Sequence, residues 1–240
     1  MERLSLIIPT YNEASRIEKT LGAAIAHLKP RRPFELVVVD DGSQDQTADR
    51  VREFALRNPE IKLIALDRHR GKGAAVRQGM LHADGEFLCF SDADLSTPIE
   101  DIEKMLLAMG EGHDVAIASR KMAQSQILIG QGFIRGAMGK IFHHMTRILF
   151  GLPFRDTQCG FKCFRRRAAR AIFSQAKIDG FAFDVEILVL AQRFGFSVAE
   201  VAVRWADSVP SRVNRVSDPL QMSCELWRIF QNLQGGLYDA

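Results

Sequence analysis

Phe87-Leu88-Cys89-Phe90-Ser91-Asp92-Ala93-Asp94-Leu95-Ser96-Thr97-Pro98 is a short apolar run that stops at two carboxylates and is followed by a proline. It reads as a buried strand ending in a charged loop. On an extended backbone Asp92 and Asp94 point the same way, so their charges repel unless a cation lies between them. A hard divalent cation with oxygen ligands, Mg²⁺ or Mn²⁺, suits that pair. Strand ends of open α/β sheets are also where ligands bind, so the ion can be held there against a diphosphate. The same residues fit a solvated turn in which Pro98 opens the next helix. What precedes them weighs between the two.

Upstream, Leu4-Ser5-Leu6-Ile7-Ile8 is a strand closed by Pro9, with Thr10-Tyr11-Asn12-Glu13 as a polar loop before a helix from about 14 to 28. Phe34 to Val39 repeats the pattern and ends at Asp40-Asp41-Gly42-Ser43. Ile61 to Ala65 does so again, followed by Arg68-His69-Arg70-Gly71-Lys72-Gly73 and a helix to about Ala83. Strands alternating with helical periodicity predict right-handed βαβ units and a parallel sheet whose loops gather on one edge. Those loops carry Tyr11, Glu13, Asp40, Asp41, Lys72, Asp92 and Asp94. A nucleotide would use them: a carboxylate accepts from a ribose hydroxyl or base N–H, an aromatic packs on the base, and Lys72 offsets phosphate charge. Neither a G-x-G-x-x-G nor a Walker A sequence is present, which argues against a dinucleotide enzyme or a P-loop NTPase. A phospho-receiver domain gives Asp92-Ala93-Asp94 no role.

The 240 residues, 47% hydrophobic and 25% charged, suffice for one domain with a substantial core. No apolar run reaches the roughly 18 residues of a membrane span. Met1-Glu2-Arg3 leads directly into a strand, so a cytoplasmic protein without a signal peptide is expected. The four cysteines, Cys89, Cys159, Cys163 and Cys224, are expected to be free thiols. Net charge is +3, but the first 114 residues carry 15 Lys and Arg against 20 Asp and Glu, and the remainder 17 against 9. An acidic half suits a metal-dependent site and a basic half an anionic partner. No basic run is interleaved with aromatics, so a membrane surface or a phosphorylated acceptor fits better than nucleic acid.

Taken in order, Ile8-Pro9-Thr10-Tyr11-Asn12-Glu13, Val38-Val39-Asp40-Asp41-Gly42-Ser43, Gly71-Lys72-Gly73 and Asp92-Ala93-Asp94 resemble the inverting family 2 glycosyltransferases. The resemblance implies the glycosyltransferase-A fold, a Rossmann-like, mostly parallel sheet flanked by helices. It also implies a nucleotide-sugar donor and a divalent metal. Pro9, Tyr11, Glu13 and Asp40 would contact the nucleoside, Asp92 would sit at ribose and metal, and Asp94 would ligate the metal. For Asp41 a turn-forming role with Gly42 and Ser43 is as well supported.

The second half opens on a strand, Asp114 to Ser119, ending at Arg120-Lys121. Phe133 to Phe150 has apolar residues at helix spacing with Arg135, Lys140 and Arg147 between them, and no acidic residue occurs from 115 to 155. This suits an amphipathic helix in a membrane interface, or equally a helix packed on the domain with its basic face in water. Asp156-Thr157-Gln158-Cys159-Gly160-Phe161-Lys162, Val203-Arg204-Trp205 and Ser211-Arg212-Val213 resemble the dolichyl-phosphate glucosyltransferase branch. Related mannosyltransferases often carry Gln where Ser96 stands, which favours UDP-glucose over GDP-mannose.

The expectation is therefore one glycosyltransferase domain, with its donor and metal half in residues 1–120 and its acceptor half in 121–240. It would transfer glucose from UDP-glucose to a polyprenyl (dolichyl-type) phosphate as a peripheral protein at the cytoplasmic membrane face. An acceptor phosphate is ionised at neutral pH and needs no strong base, and Arg120, Arg135 and Arg212 would bind phosphate. A soluble hydroxyl acceptor would need a base, for which Asp184 stands at a helix start, where it serves equally as a cap or first-turn carboxylate. Asp156 and Gln158 would orient sugar or acceptor, or brace a loop. A GDP-mannose-dependent enzyme and a non-catalytic nucleotide-sugar-binding scaffold are the alternatives. Asp218 to Leu233 reads as a C-terminal helix docked on the core.

Overall fold

The computed structural model describes residues 2–129, 133–207 and 217–239, and only the backbone of 133–138, 140 and 217–219. Arg212 and the Arg135 side chain thus lie outside the described residues. The first half alternates β1 (Leu4–Thr10), α1 (Ile17–Leu28), β2 (Phe34–Asp40), α2 (Thr47–Ala55), β3 (Ile61–Ala65), α3 (Lys72–His82) and β4 (Phe87–Ser91). Every residue of β1, β2 and β4 is buried, the signature of parallel strands covered on both faces. Helix α3 packs closely on this sheet because it is rich in small residues. A Cβ on Gly79 would lie 2.4 Å from Ile7 Cγ2.

The second half contains α4 (Ile102–Gly110), β5 (Val115–Ser119), β6 (Gln126–Ile129), α5 (Phe133–Phe150), β7 (Phe161–Arg165), α6 (Arg166–Gln175), α7 (Phe183–Arg193), β8 (Val198–Ala202), β9 (Arg204–Ala206) and α8 (Ser217–Gln234). Among the described residues seven strands form one sheet in the order β3-β2-β1-β4-β7-β5-β8, and β6 pairs with β9 apart from it. Successive residues feed opposite cores: Ile7, Val37, Val39 and Phe90 join Phe164, Leu188 and Leu226 on one face. Leu6, Ile8 and Val38 join Leu21 and Met105 on the other.

The sheet departs from the expected run of parallel units at β7, which lies antiparallel between β4 and β5. The pairing places Cys89 opposite Cys163, and the two form a disulfide, which corrects the expectation of four free thiols. Their 74-residue separation hid the pairing from the sequence, because only the inserted strand brings them together. Cys159 and Cys224 are free.

Helix α5 packs on the domain by one side. Phe142 and Thr146 are buried against the domain while Ile141 and Ile148 are exposed. Helix α8 docks on the core through Leu226 and Ile229, as expected, and exposes Leu220 and Trp227. No helix among the described residues is long and apolar enough to cross a membrane.

Candidate active site

The loops leaving the C-terminal ends of β1, β2 and β4 meet the start of α3, and the charged residues of the first half collect there. Lys72 Nζ lies 2.5 Å from Asp92 Oδ1. Burial, the neighbouring charge of Asp94 and that of Asp184 push the Asp92 carboxyl above its usual range, against the pull of Lys72. Burial also works against the charged form of Lys72, but Asp92, Asp184 and Asp94 outweigh it and raise its pKa, so it is held as an ammonium. Asp94 accepts from Ser96 N–H at 2.9 Å, an Asx turn that fixes the loop. The loop is fastened to α1 by Thr20, whose hydroxyl donates to Ala93 O at 2.5 Å.

The nucleoside-facing candidates are ordered by their own turns. Pro9 is buried within β1 and paired with Val39. Asp40 accepts from Ser43 N–H at 3.1 Å and Ser43 Oγ at 2.5 Å, and that hydroxyl accepts from Asn12 N–H at 2.8 Å. Glu13 pairs with Arg16 at 2.8 Å. The Tyr11 ring stacks on His69, with centroids 3.9 Å apart. Asp41 accepts from the N–H groups of Arg70 and Gly71, each at 2.8 Å, and pairs with His69 Nδ1 at 2.8 Å. Burial still raises its pKa. Asp41 therefore holds the turn into α3, while it is Asp40 that bonds Ser43 in its own turn.

In the second half, Asp156 is 1% exposed and receives three bonds from Arg120: backbone N–H at 3.0 Å, Nε at 2.7 Å and Nη2 at 2.9 Å. Burial acts to raise its pKa, but the Arg120 guanidinium prevails and holds it at about 2. Arg120 also stacks over Trp205, 5.3 Å from the ring centroid. Gln158 N–H donates to Asp156 at 3.3 Å. Asp184 is in the first turn of α7 but does not cap it, since the cap position is Ala182. Its carboxylate is instead bound by the fully buried Lys162 ammonium, which also donates to Cys159 O at 2.8 Å.

Sequence reading missed two residues of this site. Gly160 presses on Asp92 so closely that a Cβ would lie 2.0 Å from Oδ2. Lys162 completes a line of alternating charge through Asp184 toward Lys72 and Asp92. Both stand in the segment 156–162 that was singled out, but their partners are distant in sequence.

The donor set fits a hard divalent ion. Asp92 and Asp94 offer carboxylate oxygens on one short loop directly after β4, the kind of ligand a hard cation takes. Among the described residues no group of three His, Cys, Asp or Glu side chains forms a cage. Magnesium-type ions take one or two carboxylates and complete their shell with phosphate oxygens and water, so two are enough.

The family model for glycosyl transferase family 2 matches residues 5–173. The dolichyl-phosphate beta-glucosyltransferase of Dictyostelium discoideum is 36% identical over 97% of this chain and 75% of its own length. The Homo sapiens protein of the same name is 34% identical over 94% and 74%. Among solved structures, mannosyl-3-phosphoglycerate synthase from Rubrobacter xylanophilus superposes with a TM-score of 0.72 at 19% identity, covering 98% of this chain and 75% of that one. Glucosyl-3-phosphoglycerate synthase from Mycobacterium tuberculosis, in complex with Mn²⁺, UDP and glucosyl-3-phosphoglycerate, gives 0.66 at 20% identity over 96% and 79%. Both share the glycosyltransferase-A fold expected from the sequence. With the four ordered motifs converging at one sheet edge, this chain belongs to glycosyl transferase family 2 and is a nucleotide-sugar glycosyltransferase.

Proposed function

We propose that this enzyme transfers glucose from UDP-glucose to a polyprenyl phosphate of the dolichyl type, with Mg²⁺ or Mn²⁺ held by Asp92 and Asp94. The observation that carries the reading is the Lys72–Asp92 contact with Asp94 beside it, at the edge where the β1 and β2 loops present Tyr11, Glu13 and Asp40. Its relatives' names supply the sugar and the acceptor class.

The bound metal would supply Lewis-acid stabilisation of the departing diphosphate. Lys72 is placed to offset the same charge once a diphosphate draws it from Asp92. Tyr11 and His69 supply aromatic faces for the base, and Asp40 and Glu13 supply acceptors for nucleoside hydroxyl or N–H groups. Asp184 favours a phosphate acceptor over a hydroxyl one: the Lys162 ammonium occupies its carboxylate, so it is poorly placed to take a proton. Asp156 fixes Arg120 through a bidentate pair and Gln158 through its backbone N–H, so that this loop sets a cation at the acceptor side.

We place the enzyme at the cytoplasmic membrane face; contact with a membrane is supported by α5, where Ile141, Ile148 and Arg147 are exposed in a segment free of acidic residues. Arg135 and Arg212 remain candidates for the acceptor phosphate. The test is isothermal titration of UDP, GDP and their glucose and mannose conjugates with Mn²⁺ or chelator, followed by turnover with a polyprenyl phosphate. Metal-dependent preference for UDP-glucose is expected. A preference for GDP-mannose would reassign the donor, and no binding of any nucleotide would defeat the catalytic reading.

A further inference from the structure

The Lys72 turn is braced from behind by residues 177–182, which join α6 to α7. A Cβ on Gly71 would lie 2.5 Å from Asp179 O, and one on Gly73 would lie 2.5 Å from Ile178 O. Gly71 has φ +120°, a backbone conformation that other residues rarely adopt. Ala74 N–H donates to Asp179 O at 3.2 Å, and the Asp179 carboxylate is held by Arg77 and, at 3.3 Å, by Arg70. The backbone position of Lys72 is thus the imprint of this segment.

The segment is itself held by two buried carboxylates. Glu186 on α7 accepts from Lys177 N–H at 2.8 Å, Ile178 N–H at 2.9 Å and the Tyr238 hydroxyl at 2.6 Å. Glu225 on α8 accepts from Ala182 N–H at 2.9 Å and from Gln221 at 3.1 Å. It lies so close to Gly180 that a Cβ there would sit 1.9 Å from Glu225 Oε1. Burying a carboxylate is costly unless it is hydrogen-bonded, so these groups and the amides they bind define one arrangement of the loop.

We propose that Glu225 is a positioning residue for the donor diphosphate: by fixing residues 180–182 it sets the Gly71–Gly73 backbone and hence places Lys72 beside Asp92. This rests on the reading of Lys72 as the diphosphate-facing cation. It makes the C-terminal helix, nearly 150 residues further along the chain, part of the donor site.

The experiment is titration of UDP with Mn²⁺ into the full chain and into Glu225→Ala, Glu225→Gln and Gly180→Ala, with donor and acceptor KM measured in parallel. Glu225→Ala and Gly180→Ala break the contact from opposite sides, and each is expected to weaken UDP binding about tenfold. Donor KM should rise while acceptor KM stays unchanged. Glu225→Gln keeps an oxygen for Ala182 N–H and should recover most of the affinity. Should Glu225→Ala fail to fold by circular dichroism, Gly180→Ala and Glu225→Gln decide. Unaltered UDP affinity in folded Glu225→Ala or Gly180→Ala, or equal loss of donor and acceptor affinity, would overturn the inference while leaving the donor reading intact. Absence of UDP binding by the unmodified chain would instead overturn the donor reading itself, and this inference with it.

Discussion

Lys72 at the start of α3 and Asp92 at the end of β4 meet at 2.5 Å, closing a gap of twenty residues in sequence with an ion pair at the sheet edge. The pair is fixed from both sides: segment 177–182 seats the lysine, and Gly160 abuts the aspartate. Lys72→Met should lower kcat/KM for the donor by about 100-fold, the loss of one charge-assisted contact to a diphosphate. Steady-state kinetics with the donor varied would show it; an unchanged kcat/KM would remove Lys72 from the site.

Gly160→Ala should be more damaging than its size suggests. The added carbon would lie 2.0 Å from Asp92 Oδ2, so the carboxylate must move. Metal-dependent UDP binding is expected to fall by about tenfold or more, because metal sites tolerate little displacement of a ligand. Titration with Mn²⁺ present and absent checks this, and equal metal dependence in the variant would argue that Asp92 does not contact the ion.

Asp156 should govern acid stability. Its pKa is depressed to about 2 in the folded protein, from 3.8. The stabilisation is therefore present in full above the unfolded pKa and is lost as pH falls through about 2. It amounts to about 2 kcal/mol by linkage. Asp156→Asn should lower urea stability at pH 7 and flatten its decline between pH 4 and 2. Arg120→Ala, which strands a buried charge, should cost about 3–5 kcal/mol.

The Lys162–Asp184 pair separates two chemistries. Asp184→Asn leaves a fully buried ammonium without its counter-charge and should destabilise the fold by about 3–5 kcal/mol, whereas replacing both residues with apolar ones should recover much of that loss. If the acceptor is a phosphate, the double variant should retain more turnover than Asp94→Asn. Abolished turnover in the refolded double variant would point to Asp184 as a base and a hydroxyl acceptor.

The motifs of the first half were legible because each is local. Apolar runs mark strands buried on both faces, and the polar residues directly after them are carried to the same sheet edge by right-handed connections. Hence Tyr11, Glu13, Asp40, Lys72, Asp92 and Asp94 could be gathered before any coordinates, and α5 and α8 could be placed from helical spacing alone. The antiparallel direction of β7 was not legible, since an isolated five-residue strand carries no signal of its neighbours. The Cys89–Cys163 bond, the closeness of Gly160 to Asp92 and the Lys162–Asp184 pair all follow from that insertion.

By itself the sequence determined that these polar groups follow the strands of one sheet edge, because residue type and the strand-then-loop pattern suffice to place them there. Only the tertiary structure decided which partners within the chain each of them meets. In sequence Asp156, Asp184 and Asp41 were each open between a site role and a structural one, and in the fold their carboxylates are bound by Arg120, Lys162 and the amides before α3. The reason is physical: a buried carboxylate must find a donor, and the donors it finds are set by packing between segments far apart in the chain.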